Sequence, residues 1–124
     1  MQRKENVKKE AWNAFVAANA EDGGVLQSWE WGELEKKEGH RVWRLALEEG
    51  SELIACCLLI ERQLSFGWKY LYAPRGPVAK ISDFRFQISD LLSDLEKFVR
   101  EQGAIFLRIE PPYQHSKFQI SNFK

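Results

Sequence analysis

Lys69-Tyr-Leu-Tyr-Ala-Pro-Arg-Gly-Pro-Val78 reads as a short aromatic strand that runs into a turn stiffened by two prolines. Tyr70, Leu71 and Tyr72 carry side chains that suit a pleated, half-buried surface. Pro74 and Pro77 remove two ladder donors and fix the backbone on either side of Arg75-Gly76, so the strand has to stop there. A rigid turn at the C-terminal end of a strand, carrying one cation, is a common place to hold a ligand in an open α/β sheet. The plainer alternative is a loop whose prolines only block edge pairing. Residues before this stretch build a sheet, and residues after it cover that sheet.

Immediately upstream, Arg41 to Glu48 alternates with period two: Trp43, Leu45 and Leu47 on one face, Val42, Arg44 and Ala46 on the other. Glu49-Gly50-Ser51 supplies a turn. Leu53 to Ile60 is apolar on both faces, which places it centrally with cover above and below. After a second turn at Ser65-Phe66-Gly67, Trp68 to Ala73 completes a three-stranded antiparallel meander. Further back, Val7, Ala11, Ala14, Phe15 and Ala18 predict a helix from Lys4 to Ala18, broken by Gly23-Gly24. A second helix starts with Ser28 as N-cap and stops at Gly39, with Trp31 and Leu34 on its buried face. Glu33, Glu35, Lys36 and Lys37 form its solvated face.

Downstream, Ser82 or Asp83 caps a helix whose Ile88, Leu91, Leu92, Leu95, Phe98 and Val99 repeat at helical spacing as far as Gly103. Ala104 to Glu110 then forms a fourth strand, ended by Pro111-Pro112. A strand, a crossover helix and a strand imply a parallel neighbour. The expected class is therefore α/β of the α+β kind: a mixed sheet made of an antiparallel meander plus one parallel strand, with two N-terminal helices. Residues 1–112 form this unit, and 113–124 read as a linker or disordered tail.

With 124 residues, 44% of them hydrophobic, the chain suffices for one core. Eighteen Lys and Arg balance eighteen Asp and Glu, so composition gives no support for DNA or an acidic membrane surface as a sequence-independent partner. Adjacent Cys56 and Cys57 point to opposite faces of a strand and cannot easily bridge each other; they read as buried small hydrophobes in a reducing compartment. No transmembrane segment is expected, since no apolar run approaches the roughly 18 residues a span needs. The charged start lacks a signal-peptide core, so the expected location is cytoplasmic. His40 and His115 are far apart and neither sits among acids at ligand spacing, so no metal site is expected. There is no Gly-x-Ser-x-Gly and no Gly-rich phosphate loop ending in Lys-Ser/Thr.

The element order resembles the front half of a GNAT-type acetyltransferase, whose further helix and strands would come after the point where this sequence stops; that makes an incomplete domain the expectation. Such an enzyme cradles the pyrophosphate of acetyl-coenzyme A on backbone amides at the turn after its fourth strand. Here that turn is Ala73-Pro74-Arg75-Gly76-Pro77, with two residues lacking an N–H, which disfavours coenzyme A and leaves no cofactor expected.

Three segments in order, Gln27-Ser28-Trp29-Glu30-Trp31-Gly32-Glu33, Tyr72-Ala73-Pro74-Arg75-Gly76-Pro77-Val78 and Leu107-Arg108-Ile109-Glu110-Pro111, resemble the N-terminal part of the FemAB/FemX family, over roughly residues 10–112. The resemblance implies a peptidyltransferase that moves an amino acid from aminoacyl-tRNA onto the peptide of a peptidoglycan precursor, building interpeptide bridges for the cell wall. It implies two GNAT-like domains in the whole family protein, of which this chain is similar to the front of the first, with peripheral contact to a membrane if the precursor is lipid-linked. It also implies that Glu110 lies at the substrate cleft, which makes it the catalytic candidate. A carboxylate there can deprotonate and hold an attacking amine; the alternative is an ordinary strand-end acid. Arg75 stands at the family's basic position before Gly-Pro-Val, where it either contacts substrate or pins the turn. The family's second-helix lysine, which meets precursor phosphate, falls on Glu35 here, with Lys36 next to it but roughly 100° round the helix. Tyr72 and Trp31 are the remaining substrate-binding candidates, each with packing as its alternative. A GNAT-type N-acetyltransferase and a non-catalytic GNAT-like binding module are the other readings.

Overall fold

The computed structural model describes residues 2–80 and 84–111. Its elements run β1 (Gln2–Lys4), α1 (Lys9–Asn19), a 3-10 turn (Val25–Gln27), α2 (Trp29–Lys37), β2 (Val42–Glu49), β3 (Glu52–Gln63), β4 (Lys69–Ala73), β5 (Val78–Ala79), α3 (Phe84–Glu101) and β6 (Leu107–Ile109). They form one sheet in the order β1-β2-β3-β4-β6, with β5 also paired to β3. Every pairing is antiparallel except β4 with β6, where Leu71, Ala73 and their partners Leu107 and Ile109 run parallel. The mixed sheet, the meander and the parallel strand behind the crossover helix are as the sequence leads one to expect.

Period-two alternation along β3 divides the core into two layers. Ala55, Cys57 and Leu59 face α3, where they meet Leu45, Leu47, Leu71, Leu107 and the helix residues Leu91, Leu95, Phe98 and Val99. Cys56, Leu58 and Ile60 face the other way, onto Trp12, Phe15 and Val16 of α1. Cys56 and Cys57 are thus buried on opposite faces and unbridged. Each fully buried aliphatic side chain in these layers stabilises the fold by about 1.5–3 kcal/mol.

Four details depart from the sequence reading. Gln2–Lys4 is a strand on the edge of β2 rather than the approach to a helix, and α1 begins only at Lys9. Val78–Ala79 pairs with Ala55 and Cys56, so the proline turn is a corner between two strands that share β3. In α2, Ser28 caps as expected, its side chain accepting the Trp31 N–H, but the helix turns Gly32 and Glu35 inward. Leu34 is left exposed because the close approach of the helix to Arg44 and Leu58 is made through Gly32, where no side chain intervenes. The expected caps Ser82 and Asp83, and the expected tail from Tyr113 to Lys124, lie outside the described residues.

Candidate functional site

Leu71 and Ala73 belong to the α3 layer, so Tyr72 between them projects from the opposite face. Its parallel neighbour on that face is Arg108, and its antiparallel neighbour is Ile60. Helices α1 and α2 pack chiefly over β2, β3 and β5. The β4–β6 part of this face therefore carries polar and aromatic groups: Tyr70 stacked on Phe106, then Tyr72, Arg108 and Glu110 towards the C-terminal ends of the parallel strands.

Glu110 comes directly after β6. The Tyr72 hydroxyl donates to its Oε1 at 2.5 Å, Arg108 Nη2 stands 3.6 Å from its Oε2, and its backbone N–H donates to the carbonyl oxygen of Gly76 at 2.8 Å. The proline corner and the strand-end acid are therefore in direct contact. Burial first, and then the bond to Glu110, push the Tyr72 phenol up to about 12. Two guanidinium groups flank the Tyr72 ring, Arg62 at 5.8 Å and Arg108 at 5.6 Å from its centroid.

Arg75 sits at the apex of the corner with a left-handed φ of 52°. Its Nε donates to Asp22 at 2.9 Å, and that bond is the main reason its guanidinium is held charged above its ordinary range. After the opposing effect of burial, Asp22, Glu110 and Tyr72 add to it through space. Arg75 thus stands next to Gly76, whose carbonyl receives the Glu110 N–H, while its own side chain is turned to Asp22.

The corner is fastened from beneath by Gln27. Leu58 pairs with Arg44 of β2 on one side, but on the other side, between the pairing with β4 at Ile60 and with β5 at Cys56, β3 has no strand partner there. The fully buried Gln27 amide takes the place of one: Oε1 accepts the Leu58 N–H at 2.8 Å, while Nε2 donates to Leu58 O at 3.2 Å and Pro74 O at 2.9 Å. The Trp12 indole N–H donates to Gln27 O at 2.8 Å.

Glu35 is the second unexpected element. It is buried and receives both arms of Arg62 at 3.2 Å, with His40 Nδ1 2.7 Å away. Burial raises its carboxyl, but the bonds from Arg62 and His40 outweigh that and hold it below the usual carboxylate range. The solvated role read for Glu35 is thus corrected: α2 is rotated so that this side chain reaches β3. Lys36 instead points to solvent and pairs with Glu33 at 3.3 Å. Trp31 packs against the α1 layer with its indole nitrogen buried and without a hydrogen-bond partner among the described residues. The structure joins Tyr72 to Glu110 and Glu110 to the corner that carries Arg75, whereas Lys36 contacts Glu33 and Trp31 contacts the α1 layer. Among the described residues no group of three His, Cys, Asp or Glu is placed to hold a metal, and no helix is long and apolar enough to cross a membrane.

Sequence reasoning missed Arg62, Arg108, Glu35 and Gln27. Arg62 and Arg108 do carry a signal, each sharing the Tyr72 face of a strand by period two. The bond of Glu35 to Arg62 carries none, since that partner is 27 positions away on another element.

Compared with known proteins, the sequence matches the FemAB family over residues 7–124. No curated protein matches it. Among solved structures, FemX superposes with a TM-score of 0.74 at 22% identity, over 88% of this chain and 27% of that one. An aminoglycoside 6'-N-acetyltransferase complexed with coenzyme A gives 0.61 at 22% identity, over 88% and 61%. The aminoglycoside antibiotic 6'-N-acetyltransferase of Acinetobacter haemolyticus gives 0.60 at 11% identity, over 100% and 94%. At these identities the likeness is one of fold, and the chain spans only 27% of the length of FemX.

Proposed function

The chain belongs to the FemAB family, and from that premise we propose that it is the N-terminal segment of a cytoplasmic peptidyltransferase acting on a peptidoglycan precursor, with aminoacyl-tRNA as donor. The observation that carries this reading is the contact of Glu110 with both Tyr72 and the proline corner that bears Arg75, at the C-terminal ends of the parallel strands where ligands of open sheets bind. In the proposed reaction a precursor amine attacks the ester carbonyl of the aminoacyl-tRNA. A C–N bond forms, the C–O bond to the terminal ribose breaks, and the ribose hydroxyl leaves with a proton. Glu110 receives the proton that the attacking ammonium must lose. Tyr72 holds that carboxylate by its hydroxyl, and Arg75 supplies a cation at the corner for an anionic group of the precursor.

An acetyl-coenzyme A reaction is disfavoured by the same corner. Pro74 and Pro77 have no N–H, and the Gly76 N–H is spent on Ala73 O at 3.2 Å. Calorimetric titration with coenzyme A is expected to give no heat of binding. The decisive experiment is transfer from charged tRNA to precursor by the longer native protein, with and without Glu110→Gln. Loss of turnover with the fold intact supports the enzyme, and unchanged turnover would leave the face as a binding module only.

A further inference from the structure

We infer that Gln27 is the positioning residue that sets the pose of Glu110; its catalytic meaning rests on the role proposed for Glu110 above. Gln27 lies on a different element from every group at the site, yet a continuous chain of contacts joins them. Its amide donates to Pro74 O at 2.9 Å. Two residues on, the corner passes so close that a Cβ added at Gly76 would stand 2.4 Å from Gln27 Cδ. The carbonyl of that same Gly76 accepts the Glu110 N–H at 2.8 Å. Gly76 is not in the left-handed region, so glycine is required there by the close approach of Gln27. The Gln27 side chain is in turn fixed by both backbone groups of Leu58, and its backbone by Trp12. A fully buried amide with its acceptor and donors engaged is held in one rotamer, because any other would strand buried polar groups at about 1–3 kcal/mol each. Gln27 therefore transmits the position of rigid β3 to the corner, and the corner transmits it to Glu110.

The test replaces Gln27 by Met, which keeps the volume and removes the amide, and separately makes Gly76→Ala, which pushes on Gln27 from the other side. Amide hydrogen exchange of the full chain is monitored by NMR. In both variants the Glu110 N–H is expected to exchange at least tenfold faster relative to the amides of the β2–β3 ladder, and the Tyr72 hydroxyl proton resonance is expected to move. Global loosening would accelerate the ladder as well, so the ratio reads the local effect. Glu110 protection and the Tyr72 hydroxyl resonance unchanged in a folded Gln27→Met or Gly76→Ala variant would overturn the proposal. In the longer native protein, Gln27→Met is expected to lower kcat about tenfold with KM little changed. If the wild-type protein transfers no amino acid while the exchange results hold, the proposed function falls and the role of Gln27 in placing Glu110 stands.

Discussion

Tyr72 donates its hydroxyl to Glu110 across 2.5 Å, tying β4 to the residue just beyond β6. The bond has a consequence for alkaline stability. Burial and then Glu110 push the phenol up to about 12, so the fold favours the neutral hydroxyl. A group raised in this way contributes fully below its ordinary value near 10, and the contribution is lost as pH rises through about 12. Tyr72→Phe is expected to cost about 1 kcal/mol at pH 8, with the gap to wild type shrinking between pH 10 and 12. Urea midpoints of the two proteins across that window check it; a constant gap would contradict the assignment.

The Glu35–Arg62 pair predicts the opposite limb. Arg62 and His40 hold the Glu35 carboxyl low despite its burial, so its contribution is present above the ordinary carboxylate value and lost as pH falls through the lower folded one. Arg62→Met leaves a buried carboxylate without its main partner and is expected to cost about 2–3 kcal/mol at pH 7. Protonation relieves the stranded charge, so the difference from wild type should narrow towards pH 4. Chemical denaturation at both pH values measures this.

Cys56 and Cys57 are fully buried on the two faces of β3, and burial pushes both thiols up. The thiolate is the reactive form. Neither cysteine is expected to react with a thiol reagent on the native protein except at the rate of unfolding, and both should react at once in denaturant. Rapid labelling of either one under native conditions would show that β3 is not the central strand.

The range of each interaction decided whether it was legible in the sequence. The α3 helix and the meander were readable because their apolar residues recur at 3.6 and 2 positions, a local pattern. The opposite faces of the two cysteines came from the same alternation. β1 escaped because Gln2-Arg3-Lys4 has no apolar residue and pairs with Glu48, Leu47 and Ala46 from far along the chain. β5 escaped because two residues make no pattern. The rotation of α2 was misread because Gly32, which packs closest, has no hydropathy to register, whereas Leu34 does. At the site, Glu110, Tyr72 and Arg75 were named from short segments, but Gln27 and Glu35, which hold the corner and Arg62, act through partners 27–47 residues away.

Arg75 separates two roles that its position alone leaves combined. Its φ of 52° is a conformation that non-glycine residues adopt at a cost of about 1–2 kcal/mol, and its bond to Asp22 joins two part-exposed side chains. Arg75→Gly removes the charge and relieves the backbone, whereas Arg75→Ala removes the charge and keeps the strain. The glycine variant is therefore expected to be the more stable of the two by about 1 kcal/mol, read from thermal or urea unfolding. Precursor binding then decides the role. If the guanidinium contacts an anionic group of the substrate, both variants lose the same charge-assisted bond, and affinity measured by calorimetry on the full-length protein falls about tenfold in each. If Arg75 serves only to pin the corner to Asp22, affinity should track stability instead, with Arg75→Gly close to wild type and Arg75→Ala weaker.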